Sequence, residues 1–210
     1  MFRAVLFDLG GVVFASPFAA INDVEARHGV SAGSVNAVIA TTGTAGAWAR
    51  NERGEFGPDG FAAAFDAELA DAGLPIRTAE LMEAIHGAFR ERPTMLAAVD
   101  RVRGAGLKVA AVTNNWVQAS GGTLGDAVRS RFDVFIESAV VGIHKPDPRI
   151  YELALDALGV AADEAVLLDD IGRNLKSAAA LGVTTIKVVD EDQAIADLEA
   201  VLGFGLRGEG

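Results

Sequence analysis

Five short apolar runs punctuate the chain, at Arg3–Leu9, Lys108–Thr113, Asp133–Glu137, Ala165–Asp170 and Thr184–Val189, each rich in Val, Ile, Leu or Phe. Near-continuous apolarity at strand length implies burial on both faces, which is how parallel strands read. Met95–Ala105, Val117–Ser130, Pro148–Leu158 and Asn174–Leu181 carry apolar residues at helical spacing instead. Alternating strands and helices predict an α/β fold built on a doubly wound parallel sheet. From Ser16 to Arg92 the alternation stops, and Phe18–His28, Ala45–Arg50, Asp59–Asp71 and Thr78–Phe89 read as helices. Gly29, Gly54, Gly57, Pro58, Gly73 and Pro75 punctuate them. The expectation is an all-helical cap over 16–92, inserted after the first strand, on an α/β core formed by 1–15 and 93–210. The glycine-rich tail Gly203–Gly210 is expected to fray.

Composition narrows the class. Half of the 210 residues are hydrophobic and 22% are charged, the balance of an ordinary globular chain. No apolar run approaches the roughly 20 residues that span a bilayer, and no basic leader is evident, so neither signal peptide nor membrane anchor is expected and a cytoplasmic location is the default. The absence of cysteine excludes disulfides and thiolate metal sites. A net charge of −11 speaks against nucleic acid as a partner. A small anionic substrate remains compatible where local cations and backbone N–H groups overcome that field. All four lysines, 108, 145, 176 and 187, lie in the C-terminal half.

In an open α/β sheet, ligands bind beyond the carboxyl ends of the strands. There the polar residues gather: Asp8 with Gly10 and Gly11 after the first strand, Thr113 and Asn114 after the second, Asp169 and Asp170 after the fourth, and Lys145 ahead of the helix that opens at Pro148. Three carboxylates crowded on one rim repel, and a hard divalent cation with oxygen ligands relieves them. Phosphoryl transfer asks chiefly for positioning and charge neutralisation, and a carboxylate can serve as its nucleophile. Singly, most of these residues have plain explanations. Asp147 reads as a helix cap before Pro148, and Asp169 and Asp170 could cap the helix that follows them. His28, His86 and His144 read as surface or satisfied histidines. Asp8 has fewer excuses, because an unpaired charge in an apolar strand costs several kcal/mol. The joint pattern at successive strand ends favours a catalytic rim.

These motifs resemble, in order, those of the haloacid dehalogenase-like (HAD) hydrolase superfamily: Phe7-Asp8-Leu9-Gly10-Gly11-Val12-Val13, then Thr113-Asn114-Asn115, Lys145-Pro146-Asp147-Pro148, and Leu168-Asp169-Asp170-Ile171-Gly172. The stretch from Phe132 to Val188 is most similar to the subgroup containing the N-terminal phosphatase domain of epoxide hydrolases and the N-terminal domain of certain acyl-CoA dehydrogenase fusions. The resemblance implies a Mg2+-dependent phosphatase that hydrolyses a small phosphorylated metabolite through an aspartyl-phosphate on Asp8. It implies that Asp8, the Gly10 carbonyl and Asp170 hold magnesium with Asp169 in support. Lys145 and Asp169 would assist catalysis, and Gly11, Thr113, Asn114 and Lys145 would bind the phosphoryl group. Phe18, Trp48, Arg50 and Arg53 are the candidates to line the substrate pocket. Lipid-like or sugar phosphates are the substrates hinted at, and no epoxide hydrolase domain follows in this sequence, so that second activity is not expected.

One position departs from the family pattern. Where its phosphatases usually carry an acid–base aspartate, two residues after the nucleophile, this chain has Gly10. Loss of such a group typically costs about 10²–10⁴-fold in rate. The departure implies a preference for activated phosphates over alkyl ones, and faster alkyl turnover on Gly10→Asp. Two other readings compete, and a third is set aside. A dehalogenase would use a cap arginine, Arg50 or Arg53, to receive halide; a phosphate-binding module would retain the site without turnover; a phosphonate-cleaving relative would need a cap lysine, which 16–92 lacks.

Overall fold

A computed structural model of the chain describes residues 1–117, 122–123 and 125–206. Its centre is a five-stranded parallel sheet in the order β3-β2-β1-β4-β5, formed by β1 (Ala4–Phe7), β2 (Lys108–Thr113), β3 (Val134–Glu137), β4 (Ala165–Asp169) and β5 (Thr184–Lys187). Alternate side chains of a strand face opposite ways. Val5 and Phe7 of β1 therefore enter one core with Met95, Val99, Ile195 and Leu198, while Ala4 and Leu6 enter a second with Ile150, Tyr151, Leu155 and Ala178. Both faces are dry, which is why the strands read as unbroken apolar runs.

Helices α1 (Phe18–Arg27), α2 (Ser34–Thr42), α3 (Ala47–Glu52), α4 (Pro58–Asp71) and α5 (Thr78–Ala88) follow β1 and build a separate apolar core around Val24, Val35, Phe65, Leu69, Leu81 and Ile85. This is the all-helical cap inserted after the first strand. The chain enters and leaves it side by side, with Ala15 N donating to Arg90 O and Arg92 N to Val13 O, both at 2.8 Å. Then come α6 (Pro93–Gly104), α7 (Ser138–Val141), α8 (Pro148–Leu158), α9 (Gly172–Ala180) and α10 (Glu191–Leu202). α6 and α10 cover one face of the sheet, α8 and α9 the other.

Several boundaries differ from expectation. β1 stops at Phe7 and β4 at Asp169, so Asp8 and Asp170 sit in the loops beyond, where a ligand can reach them. Residues 118–121 and 124 of the expected helix Val117–Ser130 lie outside the described residues, and its described C-terminal part is a turn leading into a 3₁₀ turn, Arg129–Arg131. The tail beyond 206 also lies outside the described residues. Ala45 belongs to a 3₁₀ turn ahead of α3, not to the helix. The sequence reading passed over α2, whose Val, Ile and Thr residues give little helical contrast, and the short α7 and the C-terminal α10. No helix among the described residues is long and apolar enough to cross a membrane.

Candidate active site

The carboxyl end of β1 turns sharply. Asp8 N still donates to Leu168 O of β4, but Leu9 N turns back to Asp8 Oδ1 at 2.6 Å, and Phe14 N returns to Leu9 O. Gly11 makes this turn possible with φ +78°, a conformation side chains rarely adopt. Its carbonyl accepts from Arg92 Nη1 at 2.6 Å, so the point where the chain leaves the cap also pins the loop after β1.

Lys145 lies between two carboxylates. Its Nζ is 2.8 Å from Asp8 Oδ1 and 2.8 Å from Asp169 Oδ2, and all three side chains are buried. The loop that carries it is fastened by Asn114, whose Oδ1 accepts from Lys145 N at 2.8 Å while its Nδ2 donates to Lys145 O at 3.1 Å. Asp169 is fully engaged: it accepts from Ile171 N and from Asn174 Nδ2 as well as from Lys145. Asn174 is in turn positioned by Tyr151, whose hydroxyl donates to the Asn174 carbonyl at 3.0 Å. Asp147 caps α8 by accepting from Arg149 N, as its place before Pro148 suggested.

Asp170 completes the acidic group, with carboxylate oxygens of Asp8, Asp169 and Asp170 lying within 4.8 Å of one another. Burial pushes the Asp8 carboxyl up to about 8; Asp169 and Asp170 add to that and Lys145 opposes it. Burial and the charge of Asp169 raise Asp170 to about 6. Burial alone would lower the Lys145 ammonium, but the fields of Asp169 and Asp8 prevail and hold it above its ordinary range. One ammonium thus faces three acids, and the surplus negative charge is what a hard cation with oxygen ligands would neutralise.

Above this floor stands a cavity of about 560 Å³. Asp8, Gly10, Thr113, Asn114, Lys145 and Asp170 reach it from the core, while Phe18, Ile21, Ile39, Trp48 and Ile85 line it from the cap. Trp48 and Trp116, from cap and core, meet edge to face at 5.9 Å. Arg50 and Arg53 are not part of the lining, which corrects their expected place there. Both are tied to Glu55, Arg50 lies over the Phe56 ring, and Arg53 donates to Thr44 O. Gly11 is likewise absent from the cavity wall, packing instead against Asp170. His144 is neither exposed nor satisfied: its side chain is 13% exposed and Nδ1 has no hydrogen-bond partner among the described residues.

The sequence reading missed Glu52, Arg92, Trp116 and Asn174. Two carried a legible signal. Glu52 stands four residues after Trp48, hence on the same face of α3, and Trp48 Nε1 donates to its Oε1 at 3.0 Å. Asn174 falls in the first turn of the helix after Asp169.

A haloacid dehalogenase-like hydrolase family model matches residues 2–182. The chain is 38% identical over 208 residues to mouse acyl-CoA dehydrogenase family member 10, covering 98% of this chain but 20% of that protein. It is 42% identical over 117 residues to bifunctional epoxide hydrolase 2 of Sus scrofa, 53% of this chain and 21% of that one. It thus spans about a fifth of the length of either relative. A third relative, the sesquiterpene phosphatase astK of Aspergillus oryzae, is 26% identical over 205 residues, 96% of this chain and 97% of that one. Among solved structures, a predicted HAD-like family hydrolase of Porphyromonas gingivalis superposes with a TM-score of 0.69 at 20% identity, covering 96% of this chain and 98% of the other. A HAD family enzyme of Bacteroides thetaiotaomicron, crystallised with magnesium and inorganic phosphate, does so at 0.61 and 18%, covering 90% and 96%. The chain belongs to the haloacid dehalogenase-like hydrolase family.

Proposed function

We propose that this chain is a magnesium-dependent phosphatase whose substrate is a phosphomonoester with an apolar body. The observation that carries this reading is the Asp8–Lys145–Asp169 contact, 2.8 Å on each side, with Asp170 alongside, at the floor of a cavity roofed by aromatic and aliphatic side chains. Asp8 is the nucleophile. Its loop fixes one carboxylate oxygen against Leu9 N, and Lys145 keeps it from facing Asp169 and Asp170 unshielded. Thr113 and Asn114, both lining the cavity, and Lys145 receive the phosphoryl oxygens. Asp8, Asp170 and the Gly10 carbonyl are the groups to hold the cation, with Asp169 in support. When bound, magnesium supplies charge neutralisation for the phosphoryl group and for the crowded carboxylates.

Residues 16–92 act as the cap domain and 1–15 with 93–210 as the catalytic one. The Phe18–Ile21–Ile39–Trp48–Ile85 surface favours a hydrocarbon chain or ring over a sugar, because a sugar hydroxyl buried there would leave hydrogen bonds unmade. The phosphatase name of the Aspergillus oryzae relative agrees with this choice. Halide removal loses its support, since Arg50 and Arg53 are engaged with Glu55. A panel of phosphomonoesters assayed with and without magnesium, with Asp8→Asn as the blank, tests the reading. Metal-dependent release of inorganic phosphate is expected, greatest for apolar esters. Silence across the panel would leave a phosphate-binding module in its place.

A further inference from the structure

Gly10 leaves the position two residues after Asp8 without a proton donor, and the cavity holds another group able to act as one. Of the carboxyl side chains lining it, Asp8 and Asp170 belong to the acidic cluster at the floor. Glu52 does not: it comes from α3, in the cap. In an in-line phosphoryl transfer the attacking and departing oxygens stand on opposite sides of phosphorus. With Asp8 attacking from the core, the departing oxygen faces the cap. The geometry points to Glu52 as the general acid and base of this site, taking the part that Gly10 cannot.

Three contacts hold the Glu52 carboxyl ready for that part. Trp48 Nε1 donates to Oε1 at 3.0 Å, fixing the side chain along its own helix. Asn114 Nδ2 donates to Oε2 at 3.1 Å, and the same amide bonds the backbone of Lys145, whose ammonium touches Asp8. Glu52 therefore touches one of the residues assigned to the phosphoryl group and stands one side chain from Lys145. His144 Nδ1 lies 3.4 Å from Oε2, buried and without a hydrogen-bond partner among the described residues. The Glu52 side chain is 15% exposed, largely withdrawn from bulk water, yet it lines the cavity.

The steps balance. As Asp8 forms its bond to phosphorus and the phosphorus–oxygen bond to the organic group breaks, protonated Glu52 transfers its proton to the departing oxygen, and a neutral alcohol leaves. Water then attacks the aspartyl-phosphate, the Glu52 carboxylate takes one proton from it, and the electron pair of the broken bond returns to the Asp8 carboxylate. Phosphate leaves and Glu52 ends protonated, as it began. On this account alkyl phosphates are substrates, and the restriction to activated esters that Gly10 alone implies is lifted.

This inference rests on the phosphatase reading, and the test separates the two. First-turnover alcohol release is measured with magnesium for p-nitrophenyl phosphate, whose leaving group needs no proton, and for hexyl phosphate, whose leaving group does. In Glu52→Gln the hexyl rate is expected to fall about 10²–10⁴-fold, and the nitrophenyl rate at least roughly tenfold less than that. Glu52→Asp, which keeps the carboxyl, should stay closer to wild type in the ratio of the two rates even if both drop. In Glu52→Gln, adding Gly10→Asp should restore hexyl turnover, because a Cβ at Gly10 meets nothing within 4 Å. Equal losses for both esters would make Glu52 a positioning residue acting through Asn114 and overturn the inference, as would no loss for either. Wild-type enzyme releasing alcohol from neither ester would overturn the phosphatase reading itself, and this inference with it.

Discussion

Gly11 and Asp170 are packed so closely that a Cβ built on Gly11 would stand 2.1 Å from Asp170 Oδ2. The glycine is thus needed twice, for its φ of +78° and for the room it leaves a carboxylate. Gly11→Ala should cost about 1–3 kcal/mol from backbone strain alone, and should displace Asp170 enough to weaken magnesium binding. Gly10→Ala, one residue earlier, meets open space and should leave stability within about 1 kcal/mol of wild type. Chemical denaturation and magnesium titration of the two variants check the contrast.

Lys145 is the one basic side chain in contact with both Asp8 and Asp169 among the described residues. Lys145→Met would bury two acids without their partner, and breaking such a buried pair costs about 3–5 kcal/mol. The loss should shrink in acid, where the stranded carboxyls take up protons. Urea denaturation at neutral and at acid pH measures both effects.

The acidic cluster also predicts how metal and pH interact. Asp8 and Asp170 are raised from 3.8 to about 8 and about 6, so the metal-free folded protein binds more protons than the unfolded chain in that window. Its stability therefore falls as pH rises through the window. A cation binds the ionised carboxylates and cancels that loss. The rise in Tm produced by magnesium should grow between about pH 5 and about pH 8 and then level off. Thermal melts with and without magnesium across this range test the sign, and a larger rise in acid would contradict it.

Much of this was legible from the chain alone, for a physical reason. Strands dry on both faces leave unbroken apolar runs, so polar residues at their ends, such as Asp8, Thr113 and Asp169, stand out. The cap was legible as helices but not as a wall. Which side of α3 faces the cavity depends on its packing against the core: Gly54, with φ +71°, fits against the Ala139 carbonyl, and Trp48 and Glu52 line the cavity. Arg50 and Arg53 turn to Glu55 instead. Sequence spacing ties Trp48 to Glu52 but cannot say which face is inward. The unpartnered nitrogen of His144 was hidden for the same reason, since its surroundings come from α3, far away in the chain.

The apolar roof makes a prediction about chain length. Phe18 lines the cavity while remaining 39% exposed, so trimming it should disturb the fold little. Phe18→Ala should lower kcat/KM for long-chain alkyl phosphates by about 1 kcal/mol, roughly fivefold, from lost apolar contact. The effect should appear in KM and be small for short-chain esters. A kinetic series in chain length reads it directly.

The most direct test of the central claim is the covalent state of Asp8 during turnover. Enzyme denatured in the first turnover of p-nitrophenyl phosphate with magnesium, then mapped by mass spectrometry, should carry one phosphoryl group on Asp8. Hydroxylamine should remove it, and Asp8→Asn should carry none. Phosphate release without any modification of Asp8, or undiminished turnover by Asp8→Asn, would contradict the account.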